Sequence, residues 1–305
     1  MNIMGKKFIF LGISGLLVVG SIFAFALWGL KWGIDFTGGS LMEVEFLSAR
    51  PAPGDIQRAL GRTGVDRVVV QPAGERDVLL RFRPVDEETH QRMLGTLSAL
   101  APQKSSAVQS AVVERRFDTV GPTIGIELKQ RAFWALALAI GAIISYIAWA
   151  FRKVSRPVAS WKYGVAAFVA LIHDVAIPTG AFALLGYTMG VEADPLFMTA
   201  LLTVLGFSVH DTIVVFDRIR ENLGRLKAPE PFECTVNRSV NETLVRSLMT
   251  SLTVLLVLLA VFFLGGASTK YFSVALIIGI VFGTYSSIFV ASPILVIWEN
   301  WTRKK

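Results

Sequence analysis

Charge is scarce in this sequence. Asp, Glu, Lys and Arg make up only 17% of its 305 residues, against roughly 25% in soluble domains, which disfavours an ordinary water-soluble fold. Cysteine is nearly absent. The single Cys234 excludes an internal disulfide and cannot build a zinc site alone, so it reads as a passive thiol. Histidine occurs three times, at 90, 173 and 210. No Ser/His/Asp or Cys/His set and no metal-ligand cluster emerges, so catalytic residues, a metal and enzymatic activity are not expected. There is no Gly-x-x-x-x-Gly-Lys-[Ser/Thr] loop, which removes the P-loop nucleotide site. Energy for any work must then come from an ion gradient or a partner.

What the chain has in excess is apolar sequence: 53% of residues, with a mean hydropathy of +0.57. The excess lies in blocks. A membrane-spanning helix needs about 20 mostly apolar residues, and six stretches qualify. The first runs uncharged from Phe8 to Leu30 behind Lys6 and Lys7. Its length and the flanking Trp28 and Trp32 suit a retained span rather than a cleaved signal peptide. The others cover about 132–150, 163–187, 195–219, 247–266 and 271–298. The expected organisation is therefore a first span within 1–31, an outside domain over 32–131, a five-helix block over 132–298, and a tail from 299 to 305.

The basic residues set the orientation. Arg152, Lys153, Arg156 and Lys162 crowd one short connection, and Arg218, Arg220, Arg225, Lys227, Arg238 and Arg246 another. The 188–194 connection has no Lys or Arg, and 267–270 has only Lys270. The positive-inside rule places both termini in the cytoplasm and 31–131 outside. A net charge of +7 is thus a topology signal, and nucleic acid is not an expected partner.

The outside segment reads as a small α+β domain. Ser40–Leu47 alternates as a strand should, and Pro53–Thr63 has helical spacing. Arg67–Gln71 and Asp77–Phe82 read as strands around a Pro/Gly turn, Glu87–Leu100 as a helix and Ala107–Phe117 as a strand. The order β-α-β-β-α-β predicts a ferredoxin-like fold. His90, among Glu87, Glu88 and Gln91, is expected on a solvated helix face.

Polar groups inside the spans are the informative feature, because a charge at mid-span costs about 2.5–3.5 kcal/mol on insertion scales. His173–Asp174 lies in the third span and His210–Asp211 in the fourth. Pro178 removes the amide that would bond the Asp174 carbonyl. Asp174 lies about 16 Å along the helix from Tyr163. In the fifth span, Ser239-x-x-Glu242 reads as a capping box that starts the helix near Val240. Arg246 would then reach the depth of Asp211, as an ion pair requires. That pair either handles protons or only fixes helix packing. His210 and His173 read as secondary polar residues, more often packing groups than relays. Gly279-x-x-x-Gly283, followed by Ser286 and Ser287, allows close helix approach.

Four segments together resemble the SecF family of the RND superfamily. They are Gly33-Ile34-Asp35-Phe36-Thr37-Gly38-Gly39, Val120-Gly121-Pro122-Thr123-Ile124-Gly125, the long run from Gly206 to Asn222 that includes Asp217, and Asn241-Glu242-Thr243 with Arg246-Ser247. The resemblance covers essentially the whole chain and implies six transmembrane helices in one RND-type half. It implies a complex with SecD beside the SecYEG channel, with YajC as a further candidate, in the cell inner membrane. There the proton motive force would drive late movement of an unfolded exported polypeptide. Carried over by motif, Asp211 and Arg246 would handle protons with an acid from SecD, and Asp174 is added from its buried position. No cofactor is implied beyond protons as coupling ion, although sodium stays open. Gly38 and Gly39 suit a bend that Asp35 would anchor by accepting amide hydrogen bonds, with Gly121 and Pro122 in the facing motif.

Two other readings remain. An RND-type small-molecule exporter shares the helix layout, but such exporters carry outside domains of several hundred residues, against roughly 100 in this sequence. Drug susceptibility of a deletion strain separates the two. A passive membrane scaffold would not need a buried Asp and Arg, and would tolerate their replacement by Asn and Gln.

Overall fold

A computed structural model describes residues 1–65, 68–73, 75–101, 112–152, 158–226, 228 and 230–303. The chain forms two compact units, one of Met1–Lys31 with Ala132–Lys305 and one of Trp32–Arg131.

The smaller unit is a four-stranded antiparallel sheet with two helices on one face. Its strands are β1 (Gly39–Phe46), β2 (Val69–Ala73), β3 (Asp77–Phe82) and β4 (Val112–Val120), in the spatial order β2-β3-β1-β4. Alternation decides the faces. Met42, Val44, Phe46, Val78, Leu80 and Phe82 point inward and are buried, while the intervening residues are not. Helices α3 (Pro53–Gly61) and α4 (Glu87–Leu100) cover that face with Ile56, Leu60, Met93 and Leu97. Their order along the chain is the ferredoxin-like one. The start of the final expected strand, 107–111, lies outside the described residues, as does Arg67.

His90 departs from expectation. It is buried, with its ring stacked on Phe117 at 4.0 Å. Nε2 lies 3.0 Å from Glu114 and Nδ1 3.3 Å from Glu87. The neighbouring Glu87 and Glu88 do stay exposed, but the ring itself turns into the α4–β4 interface.

The glycine segment makes a sharp corner. A four-residue helix, α2 (Ile34–Thr37), ends at Gly38 and Gly39, with φ of 73° and 137°. L side chains avoid such angles. A Cβ on Gly38 would also fall 2.7 Å from Pro122 Cα, and one on Gly125 2.8 Å from the Gly38 amide. The two glycine-containing motifs are thus packed backbone to backbone. Asp35 lies in α2, where burial pushes its carboxyl above the ordinary range while its own backbone amide hydrogen bond and Arg116 pull it back.

In the larger unit, six helices among the described residues are long and apolar enough to cross a membrane. They are α1 (Lys7–Trp28), α5 (Pro122–Ala150), α6 (Ser160–Met189), α7 (Pro195–Gly224), α8 (Phe232–Leu264) and a last span. That last span consists of α9 (Ala267–Ser286), a π turn (Ser287–Ala291) and α10 (Ser292–Arg303). Helices α6, α7 and α9 form the buried centre, and α1 and α5 expose most of their apolar surface. Trp28 of α1 stacks on Tyr187 at 5.0 Å.

The capping-box reading of Ser239 and Glu242 is wrong. Helix α8 begins at Phe232, two turns earlier. Ser239 donates back to the Thr235 carbonyl, as a mid-helix serine does. Glu242 instead accepts from Arg218 and Asn222 of α7, at 2.6 and 2.8 Å.

The Gly279–Gly283 face is an internal contact. A Cβ on Gly279 would lie 2.1 Å from Val204 Cγ2, and one on Gly283 3.1 Å from Ser208 Cβ. Gly279→Ala should therefore destabilise the protein by about 1–3 kcal/mol through overpacking. Adding Val204→Ala should recover most of that loss in thermal unfolding of the detergent-solubilised protein. Equal stability of Gly279→Ala and wild type would refute this contact.

Candidate functional site

Two buried carboxylates share one layer of the bundle. Helices α6 and α7 meet at a short connection. Asp174 lies fifteen residues from Met189 and Asp211 sixteen residues from Pro195, so both sit about 23–24 Å from that end. On α7, Ser208, Asp211, Thr212 and Val215 fall at helical spacing on one buried face. On α9 the two glycines let that face come close enough for hydroxyl contacts.

Asp174 is 0% exposed. Its Oδ1 lies 2.9 Å from His173 Nδ1. Its Oδ2 accepts from the hydroxyls of Ser208 and Ser286, the latter at 2.9 Å. Helix α6 continues through Pro178 as far as Met189.

Asp211 is 8% exposed. One oxygen accepts from the Ser247 hydroxyl of α8, and the other is buried with no hydrogen-bond partner. Around it, Thr212 and Ser287 hydroxyls lie 2.8 Å apart, and Ser251 and Thr284 hydroxyls 2.5 Å apart. Ser287 also donates to the carbonyls of Gly283 and Ser208.

The expected Asp211–Arg246 ion pair is not formed. Arg246 is exposed, and it acts on Asp211 electrostatically without touching it. Its neighbour Ser247 faces inward in its place. Successive helical residues point about 100° apart, so only one of the two can face Asp211 at a time. His210 is also exposed, on the side of α7 away from the layer. Asp217 is exposed and paired with Arg220 at 2.6 Å. His173 joins the layer through Asp174, while its Nε2 is buried without a partner.

Sequence reasoning missed the hydroxyls. Ser208, Ser247, Ser286 and Ser287 supply the hydroxyls, and for all but Ser247 the available signal was a spacing of three or four residues from Asp211 or Gly283. It also missed the Arg218–Glu242–Asn222 clamp, although all three residues lie in the quoted motifs. A third omission is the buried ion pair between Lys162 of α6 and Glu299 of α10, at 3.0 Å, with Thr302 also 3.0 Å from the ammonium. Lys162 had been counted only as a topology charge.

Fold and site define a class: a multi-pass α-helical membrane protein whose bundle interior holds ionisable groups braced by hydroxyls, as transport proteins do. A family model described as "Protein export membrane protein SecD/SecF, C-terminal" matches residues 101–301, and one described as "SecD/SecF GG Motif" matches 25–46. The protein translocase subunit SecF of Thermobaculum terrenum is 44% identical, over 98% of this chain and 94% of that protein. The translocase subunit SecDF of Thermus thermophilus is 38% identical, over 89% of this chain. This chain spans only 35% of the SecDF length. The crystal structure of Thermus SecDF, a translocon-associated membrane protein, matches with a TM-score of 0.82 and 35% identity. The match covers 98% of this chain and 39% of that one.

The chain belongs to the SecD/SecF protein-export family, on its SecF side. Its relatives are named as protein translocase subunits, which places it in protein transport.

The Lys162–Glu299 pair allows a direct stability test. Lys162→Met alone removes the ammonium that faces the buried Glu299 carboxylate and should cost about 3–5 kcal/mol. The double variant Lys162→Met with Glu299→Leu should recover most of it in detergent unfolding. A single variant as stable as wild type would show that the pair contributes nothing.

Proposed function

We propose that the chain is the SecF-type subunit of a SecDF complex that completes protein translocation across the cell inner membrane at the expense of the proton motive force. Both termini would be cytoplasmic, as the basic connections imply. SecD would supply the second half of the bundle, since the Thermus relative carries both names in one chain of which this sequence spans about a third. The SecYEG channel, YajC and the unfolded exported polypeptide are further proposed partners.

One observation carries the reading. Asp211 is a buried acid with one oxygen bonded to a neutral serine and the other unsatisfied, and the residue immediately before that serine is an outward-facing arginine. Burial favours a neutral acid, and an adjacent guanidinium favours a carboxylate. Exchange of Ser247 for Arg246 against Asp211, by rotation of α8 or a swing of the long arginine, would change the acid's proton occupancy. With water reaching the acid alternately from the two sides, the cycle becomes directional. Each elementary charge crossing 100 mV supplies about 2.3 kcal/mol, enough to bias a two-state element by more than tenfold.

Asp211→Asn keeps size and hydrogen bonding but cannot ionise. It should assemble normally and lose gradient-dependent export, measured as late-stage export into sealed vesicles with and without an imposed proton gradient. Arg246→Lys should lose only part of the response, because it keeps charge without the planar fork. An unchanged gradient response in Asp211→Asn would make the residue structural.

Helix α7 exposes Thr199, Thr203, Gly206 and His210 at helical spacing. In a Cys234→Ser background, cysteines along this stripe should cross-link to a SecD-like chain. A fully active monomer without cross-links would remove the partner from the proposal.

A further inference from the structure

Asp174 lies outside the Asp211–Arg246 pair, and nothing in the proposed cycle uses it. Yet it has more hydrogen-bond donors than Asp211. His173 of α6, Ser208 of α7 and Ser286 of α9 converge on one carboxyl that is wholly buried. Three donors from three helices form a built site, beyond what helix packing requires.

We propose that Asp174 with His173 is a second proton-binding site in series with Asp211, joined to it through the hydroxyls of Ser208, Ser286 and Ser287. The inference rests on the proton-coupling reading of Asp211 and adds a second position to it.

The two acids are linked by hydroxyl bonds and by two pairs of adjacent residues. Ser286 donates to Asp174 at 2.9 Å. Ser287, the next residue, meets Thr212, which directly follows Asp211, at 2.8 Å. Ser287 also donates to the carbonyl of Ser208, whose own hydroxyl donates to Asp174. A serine hydroxyl both donates and accepts, so Ser208 and Ser286 can answer a proton on Asp174 and the Thr212–Ser287 bond can reverse, while the link between the two hydroxyl groups runs through the adjacent backbone of Ser286 and Ser287. The backbone at this joint is unusual. Ser287 opens a single π turn, Ser287–Ala291, a feature frequent at functional sites. The wider turn lets two consecutive serines face the two different acids.

The dyad can hold a proton. A neutral imidazole with its Nδ1 hydrogen toward Asp174 Oδ1 leaves Oδ2 to take the proton as a carboxylic acid, with the Ser208 or Ser286 hydroxyl turning to accept from it. Unprotonated, the pair carries one negative charge; with one proton it carries none. Few other charges compete with this titration. Helix α7 presents Asp211 behind the hydroxyls, α9 presents the Tyr285 ring 6.2 Å from His173, and α1 has no titratable residue between Phe8 and Trp28.

The test is pH-stepped infrared difference spectroscopy of the full chain in membranes with its partner, reading the carboxylic-acid carbonyl stretch. Wild type should show two components that titrate as a coupled pair. Asp174→Asn should remove one and shift the midpoint of the other by about one pH unit, the coupling at which two sites share their titration. Ser287→Ala keeps both acids and should leave both components but abolish that coupling. If Asp174→Asn removes no component, or leaves the Asp211 midpoint in place, the proposal is overturned. Should Asp174→Asn fail to fold, Ser286→Ala takes away one donor and must move the Asp174 component; no movement also overturns it. Failure of the proton-coupling reading is distinct, since it appears as unchanged gradient-driven export in Asp211→Asn.

Discussion

A carboxylate inside a helical bundle at membrane depth must find its donors among the neighbouring helices, because hydrocarbon supplies none. Both acids of this protein meet that condition with serine hydroxyls. A hydroxyl is short, so its helix must approach within hydrogen-bond distance of the acid's helix. Gly279 and Gly283 permit that approach between α9 and α7, where a Cβ on Gly279 would lie 2.1 Å from Val204. The site therefore depends on two glycines that touch neither acid. The same closeness positions Ser286 and Ser287, and through them the relation between Asp174 and Asp211.

Serine has a further consequence compared with arginine. A hydroxyl donor favours the ionised carboxyl less strongly than a guanidinium does, and it can turn to accept from the protonated form, which a guanidinium cannot. A layer lined by Ser208, Ser247, Ser286 and Ser287 thus leaves the proton occupancy of its acids undecided. The nearby Arg246 faces away. Such an arrangement is poised, with the charged partner one residue along the helix from the neutral one.

Much of this was legible in the sequence, for identifiable reasons. Spans and the β-α-β-β-α-β order follow from hydropathy blocks and alternation, which are local signals. Asp174 and Asp211 were legible because an acid in an apolar run is conspicuous. Their partners were not. Ser247 and Arg246 are adjacent in sequence, and which of them faces Asp211 depends on the rotation of α8 about its axis. That rotation is fixed by contacts far away, including the Arg218–Glu242 bond. The Ser239/Glu242 capping box misled for a related reason: the same residues can cap a helix start or bridge two helices, and spacing alone does not distinguish these. His90 shows the converse error, since its exposed glutamate neighbours suggested solvent although the ring itself packs on Phe117.

The exposed polar groups complete the argument. Arg246 lies eighteen residues from the Leu264 end of α8, about 27 Å along the helix, close to the depth of the two acids. His210 sits at the same level of α7, with Thr203 and Gly206 on the same exposed stripe. A surface of this kind facing lipid tails would carry the full cost of its charges. The faces of α1 and α5 offer a contrast: Phe8, Ile13, Leu16, Phe23, Phe133 and Leu138 are exposed there, as a lipid boundary requires. The bundle thus has two kinds of exposed surface, the apolar one of α1 and α5 and one on α7 and α8 that carries His210 and Arg246 among apolar side chains such as Val245, Leu248 and Met249.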